Sequence, residues 1–163
     1  MVDIQTISIA VASASVVAGV IYYSLQIRHQ SLQIKQQNNM RQTDLIMRLY
    51  SNYGSRGFQD DFWKVMNREY KDFDDYERHY GWAEAVEIGT FFEGIGILLK
   101  RRLVDIQLVD DLFTTPIKLS WEKMKILVED SRKHWNSPAA YEWFQYLYNE
   151  MKKREQKLQQ SKV

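Results

Sequence analysis

Residues 4–27 read IQTISIAVASASVVAGVIYYSLQI, and none of these 24 is charged. Asp3 stands just before the run and Arg28 just after it. Coiled as an α-helix, it would reach roughly 36 Å, against about 30 Å for a hydrocarbon core. We therefore read residues 1–28 as a transmembrane anchor. A secretory signal fits less well, because Met1-Val2-Asp3 lacks a basic region. The A-x-A-like triplets Ala10-Val11-Ala12 and Ala12-Ser13-Ala14 also lie inside the run, ahead of Val16–Tyr23. A buried core helix is the other rival, suggested by Gln5, Ser8, Ser13 and Ser15, but so long an uncharged core helix is unusual in a small protein.

Charge then sets an expected orientation. No Lys or Arg precedes the run, whereas Arg28, Lys35, Arg41, Arg48 and Arg56 follow it against the single acid Asp44. The positive-inside bias places the N-terminus outside and the C-terminal domain in the cytoplasm, at the cell membrane. Tyr22 and Tyr23 fall near the inner end, where amphipathic rings favour the headgroup region. After Ile27 the chain carries all 22 basic residues and 20 of the 21 acids, a net +2 that gives no field for nucleic acid.

Ser8, Ala12, Ser15 and Gly19 recur at spacings of four, three and four, a ridge of small residues on one helical face. Such ridges let membrane helices approach closely, so the expected partners are membrane lipid and another membrane helix, from a second copy or another subunit.

Beyond the anchor, Val20 to Tyr53 contains neither Gly nor Pro, so the helix is expected to continue as a polar stalk over residues 29–40. Leu25, Leu32, Asn39 and Ile46 recur at sevens and hint at a coiled coil. The matching positions His29, Gln36 and Thr43 are polar, which argues against a stable stalk dimer on that seam. With two prolines, seven glycines and no cysteine, the rest reads as one all-α domain over residues 41–155 without disulfides, followed by a basic polar tail at 156–163.

Apolar spacing places its helices. Met40 to Tyr53 ends at the turn Gly54-Ser55-Arg56-Gly57, and Phe58–Tyr70 follows with Phe62, Trp63, Met66 and Tyr70 inward. Lys71–Gly81 reads as an acidic, aromatic connection with a helical turn. It is either a partner-binding face or a lid packed on the bundle. Trp82–Arg102 carries the strongest stripe, Ala85, Ile88, Phe92, Ile95, Leu99 and Leu103. A short helix over Asp105–Thr115, a long one over Ile117–Trp135, and a last one capped by Ser137-Pro138 complete the pattern.

The chemistry is sparse. Gly89, Gly94 and Gly96 follow no strand and sit among Phe91, Phe92, Ile97 and Leu98, which is helix packing and not a phosphate loop. Asp75/His79 and Asp130/His134 are each four apart and read as surface ion pairs, since a metal needs more ligands than each pair offers. Nucleophilic-serine, zincin and Walker motifs are absent, so no catalytic residue, cofactor or metal is assigned. Glu93 stands out as a carboxylate in the most apolar helix of the domain. A buried ion pair with Arg132, or a network of tyrosine hydroxyls, is its expected compensation.

The segments Phe91-Phe92-Glu93-Gly94-Ile95-Gly96, Leu103-Val104-Asp105, Trp121-Glu122-Lys123, Arg132 and Tyr141-Glu142-Trp143-Phe144 with Leu147 carry a resemblance. Over roughly residues 1–155 the chain resembles an uncharacterised prokaryotic family of small single-pass membrane proteins with a helical domain of unknown function. The resemblance implies the anchor and the helical fold, transfers no catalytic residue, and leads us to expect glycine where this chain has Arg102. The expected function is a membrane-anchored interaction module, a scaffold or accessory subunit of a larger membrane complex. A membrane-tethered enzyme or ligand sensor with a pocket at Glu93 and Arg132 is the alternative. A third reading lets the basic tail, Lys152-Lys153-Arg154 with Lys157, touch anionic lipid.

Overall fold

Ser55, Asp72 and Asp105 each stop one stretch of chain and start the next helix. In the computed structural model, which describes residues 3–160, their side chains accept from Phe58 N (3.3 Å), Asp75 N (2.9 Å) and Gln107 N (2.6 Å). Each bond satisfies a donor that the first helical turn leaves without an intrahelical partner. The side chains of residues 6, 7, 9, 10 and 11 lie outside the described residues. Among the described residues six helices result: α1 (Ile4–Tyr53), α2 (Arg56–Asn67), α3 (Phe73–Tyr80), α4 (Ala83–Lys100), α5 (Ile106–His134) and α6 (Glu142–Gln160). The protein is all-α among the described residues.

The chain forms two units that meet between Arg41 and Gln42. In the N-terminal unit, helical residues such as Val16, Val20, Ile21, Leu25 and Ile27 are exposed. Ser24 and Ser31 turn their hydroxyls back onto the carbonyls of Val20 and Ile27, at 2.7 and 2.9 Å.

The expectation of a transmembrane helix is corrected. Among the described residues no helix is long and apolar enough to cross a membrane. Gln5, Ser8, Ser13, Ser15, Ser24 and Gln26 dilute the apolar character of the run that suggested one. The stretch read as a tail is helical to Gln160, and residues 161–163 lie outside the described residues.

The second unit is a helical bundle around one core. Ile46 from the end of α1, Phe62 from α2, Tyr76 from α3, Phe92 from α4, Phe113 from α5 and Phe144 from α6 are all nearly inaccessible. Tyr53 touches Phe58, Phe62, Phe91 and Phe113 by ring contacts of 5.6–6.2 Å, tying α1, α2, α4 and α5 together. Burial of such rings is the main source of stability.

Three boundaries differ from the sequence reading. The connection at 71–81 is a true helix, α3, because Asp72 caps it and its buried Phe73 and Tyr76 hold it down as a lid. The two helices expected around Pro116 are one, α5, with Pro116 inside it. An internal proline costs about 3 kcal/mol through a missing N–H and a clash with the preceding turn. Phe113 and Ile117, fully buried on either side, hold the helix together across it. The last helix starts at Glu142, four residues beyond the expected Pro138, since residues 137–141 form turns and Tyr141 has φ 55°.

Candidate functional site

Glu93 and Arg132 converge on the start of α6 without forming an ion pair with each other. The Glu93 carboxylate accepts a 2.6 Å hydrogen bond from Phe144 N and also interacts with Trp143 N. Arg132 donates from Nε to Ala140 O (2.8 Å) and from Nη1 to Gln145 Oε1 (2.9 Å). The compensation expected from one salt bridge is thus split: the carboxylate takes helix N–H groups, and the guanidinium takes the turn that leads into the helix. Burial pushes the Glu93 carboxyl above its ordinary range, against the lowering effect of the Phe144 and Trp143 N–H groups. Glu142 adds to the rise, and Arg132 opposes it weakly.

The glycines of α4 explain why α6 lies so close. A Cβ on Gly96 would fall 2.1 Å from Trp143 O, and one on Gly89 would fall 2.7 Å from Tyr141 Cε1. Glu93 lies between these two glycines on the same side of the helix, so backbone approach and carboxylate cap belong to one docking surface. Phe144 then stacks on Phe92 at 5.2 Å and meets Trp121 edge-on at 5.1 Å. Tyr141, hydrogen-bonded to Thr90, has its phenol pushed up by burial.

A second polar knot was not foreseen from sequence. Arg68, just beyond α2, donates to Tyr76 Oη (2.8 Å) and pairs with Glu84 (3.1 Å), with the Tyr80 ring 4.8 Å from its guanidinium carbon. The hydrogen bond from Arg68 holds the Glu84 carboxyl below its usual range, while burial pushes the Tyr76 phenol up. A third knot joins α5 to α6: Arg154 pairs with Asp110 at 2.8 Å, Thr114 donates to Asp110, and Lys118 pairs with Glu155 at 2.7 Å. Burial works against the Asp110 charge, but Thr114 and Arg154 outweigh it and the carboxyl is lowered.

The histidine pairs separate. His79 contacts Asp75 at 3.2 Å on the surface, whereas Asp130 pairs with Lys133 at 3.1 Å and His134 stacks on Phe73. Among the described residues no group of three or more His, Asp or Glu is arranged to hold a metal. Arg132 also borders a surface cleft of about 420 Å³ with Glu129, Lys133, Asn136 and Pro138, but Glu93 does not line it. In the N-terminal unit, Ser8, Ala12 and Ser15 are exposed and Gly19 is half-buried. A Cβ on Gly19 would meet nothing within 4 Å.

Fold and polar groups together define a helical bundle whose half-buried charges are paired within it. The chain belongs to the family described as domain of unknown function DUF4760, which it matches over residues 9–151. No curated protein and no solved structure matches it.

Proposed function

We propose that this chain is a helical interaction module, a scaffold or accessory subunit whose N-terminal unit seats against a helix of another polypeptide. One observation carries the reading. Val16, Val17, Val20, Ile21, Tyr22, Tyr23, Leu25 and Ile27 are each 55–66% exposed along a single helix. A contiguous apolar surface of that extent marks an interaction site, because leaving it in water forfeits the gain from covering it. The polar knots support the same reading from the other side, since each is closed on partners within the bundle.

Affinity purification of the tagged full chain should recover a discrete companion at fixed stoichiometry, either a second copy or another chain. Val20→Asp with Ile27→Asp should release it, because each carboxylate would be buried without a partner. A companion retained by that variant, or a helix surface covered by lipid alone, would overturn the proposal.

A further inference from the structure

Several cations of the second unit have an acid of their own. Arg68 has Glu84, Lys118 has Glu155, Lys153 has Glu150 and Arg154 has Asp110, at 2.7–3.1 Å. The end of α4 is different. Lys100, Arg101 and Arg102 are all exposed, and among the described residues no carboxylate lies within ion-pair distance of any of them. The Lys100 ammonium sits instead over two rings of α6, 5.1 Å from the Tyr146 centroid and 5.8 Å from that of Trp143. Both rings are partly exposed. Arg102 and Lys153 also act on the Tyr146 phenol, so Lys100, Arg102 and Lys153 share one corner with it. Leu103, the next residue along, is 50% exposed.

Helix architecture accounts for part of this. A cation in the last turn complements the carbonyl end of a helix, which explains Lys100. It does not explain Arg102, which holds φ 57° at a position where glycine is the usual occupant. A side chain kept against its backbone preference points to a use for that side chain. We infer that Lys100, Arg101 and Arg102, with Leu103, form a contact surface for an anionic phospholipid bilayer. The contact is peripheral and needs no crossing helix. It concerns the second unit and goes beyond the interaction-module reading, which rests on the N-terminal helix. A bilayer matches every part of the corner. Its headgroups offer negative charge to the three cations, its interface suits the Trp143 and Tyr146 rings, and its hydrocarbon lies just beneath for Leu103. Nucleic acids and acidic polypeptides match the charge alone, and three cations neutralise too few phosphates for stable binding to nucleic acid.

Co-sedimentation of the full chain with vesicles tests the contact. The parent should bind phosphatidylcholine vesicles that contain about one-third phosphatidylserine, but not phosphatidylcholine alone. Salt at about 1 M should remove the binding, because it screens exposed charge within a few ångströms. Each cation near such a surface contributes about fivefold in affinity, so joint Lys100→Glu, Arg101→Glu and Arg102→Glu should weaken binding by roughly a hundredfold or more. Arg102→Gly separates contact from stability. It relieves the left-handed turn, so thermal unfolding should move upward while vesicle affinity falls about fivefold. Arg102→Lys keeps the charge and should keep the affinity. Arg28→Glu with Lys35→Glu, in the N-terminal unit, should leave the gap between parent and triple variant intact. Equal binding to phosphatidylcholine alone, or binding that survives the triple reversal, would overturn the inference and give any lipid contact to the apolar N-terminal helix. A chain that ignores vesicles overturns it as well, and retention of polyglutamate through the same three cations would then assign the surface to an acidic polypeptide.

Discussion

Glu93, midway along α4, supplies through its carboxylate the hydrogen bond that the backbone N–H of Phe144 needs at the start of α6, 2.6 Å away and 51 residues along the chain. Helices α2, α3 and α5 carry their own caps one residue before they begin. The start of α6 follows Tyr141 at φ 55°, and its early N–H groups turn to α4 instead. A cap borrowed from another helix makes the start of α6 conditional on docking. It joins local helix formation to tertiary packing.

Replacing Glu93 by Ala removes the acceptor for the Phe144 and Trp143 N–H groups and should cost about 2–3 kcal/mol in denaturant unfolding. Glu93→Gln keeps an acceptor oxygen and should stay within about 1 kcal/mol. Because the folded carboxyl titrates above its unfolded value, the native state binds the extra proton first. Its contribution is therefore fully present below the unfolded pKa and is lost as pH rises through the folded one. Glu93→Gln should remove that slope. Arg132→Met should cost about 1–2 kcal/mol for its bonds to Ala140 O and Gln145, with coupling to Glu93→Gln below about 1 kcal/mol. Stronger coupling would restore the direct pair.

Arg68 makes the opposite pH prediction. Its loss, as Arg68→Ala, leaves the half-buried Glu84 carboxylate and the buried Tyr76 without their donor and should destabilise by about 2–4 kcal/mol. Glu84 titrates below its unfolded value, so its stabilising effect is present above the unfolded pKa and lost as pH falls through the folded one. Asp110 behaves alike. Acid titration of the parent should show this loss, and Arg68→Ala should flatten it. An unchanged acid limb would mean that Glu84 draws nothing from Arg68.

Much of this architecture can be read from the sequence where one physical signal dominates. The stripe from Ala85 to Leu103 predicts α4 because apolar spacing there is unbroken; its members up to Leu99 are buried, whereas Leu103 lies past the helix end and is 50% exposed. Glycines 89, 94 and 96 point to close helix packing without naming α6, since a glycine reveals room for a neighbour and not which one; the approach is real at 89 and 96 but not at 94, where a Cβ would meet nothing within 4 Å. Glu93 and Arg132 stand out as semi-buried charges, but Glu93 takes backbone N–H groups at the start of α6 and Arg132 takes Ala140 O and the Gln145 side chain, partners that no charge pattern encodes. Arg68 and Glu84 lie sixteen residues apart on either side of α3, and only the folded path of that helix brings them together. The break expected at Pro116 fails because tertiary burial of Phe113 and Ile117 overrides local propensity. The apolar N-terminal run is conspicuous, but hydrophobicity alone does not specify what covers it.

Two glycines in one helix should respond in opposite ways to the same change. In Gly96→Ala the new Cβ meets Trp143 backbone, 2.1 Å from its oxygen and 2.5 Å from its carbonyl carbon. Backbone cannot swing aside, so α6 must move, at a cost of about 3 kcal/mol or more, as for severe overpacking. In Gly94→Ala the Cβ meets nothing within 4 Å. That change should stabilise by up to about 1 kcal/mol through helix propensity. Thermal unfolding of the two variants side by side checks the pair, and similar behaviour would remove the close approach as the reason for Gly96.

The end of α4 carries a residue its backbone disfavours. Arg102 N donates to Leu99 O at 3.0 Å and Leu103 N to Leu98 O at 2.9 Å, the paired bonds that close a helix when the intervening residue is left-handed. Arg102 is that residue, with φ 57°, and it is exposed. Glycine is the usual occupant, since a Cβ there costs about 1–2 kcal/mol, and it is what the family resemblance leads one to expect. Arg102→Gly should therefore stabilise the domain by about 1 kcal/mol, reduced by glycine's extra freedom in the unfolded chain. Arg102→Ala keeps the Cβ and should give no such gain. Equal stabilities for the Gly and Ala variants would show that the left-handed turn is not the source of strain.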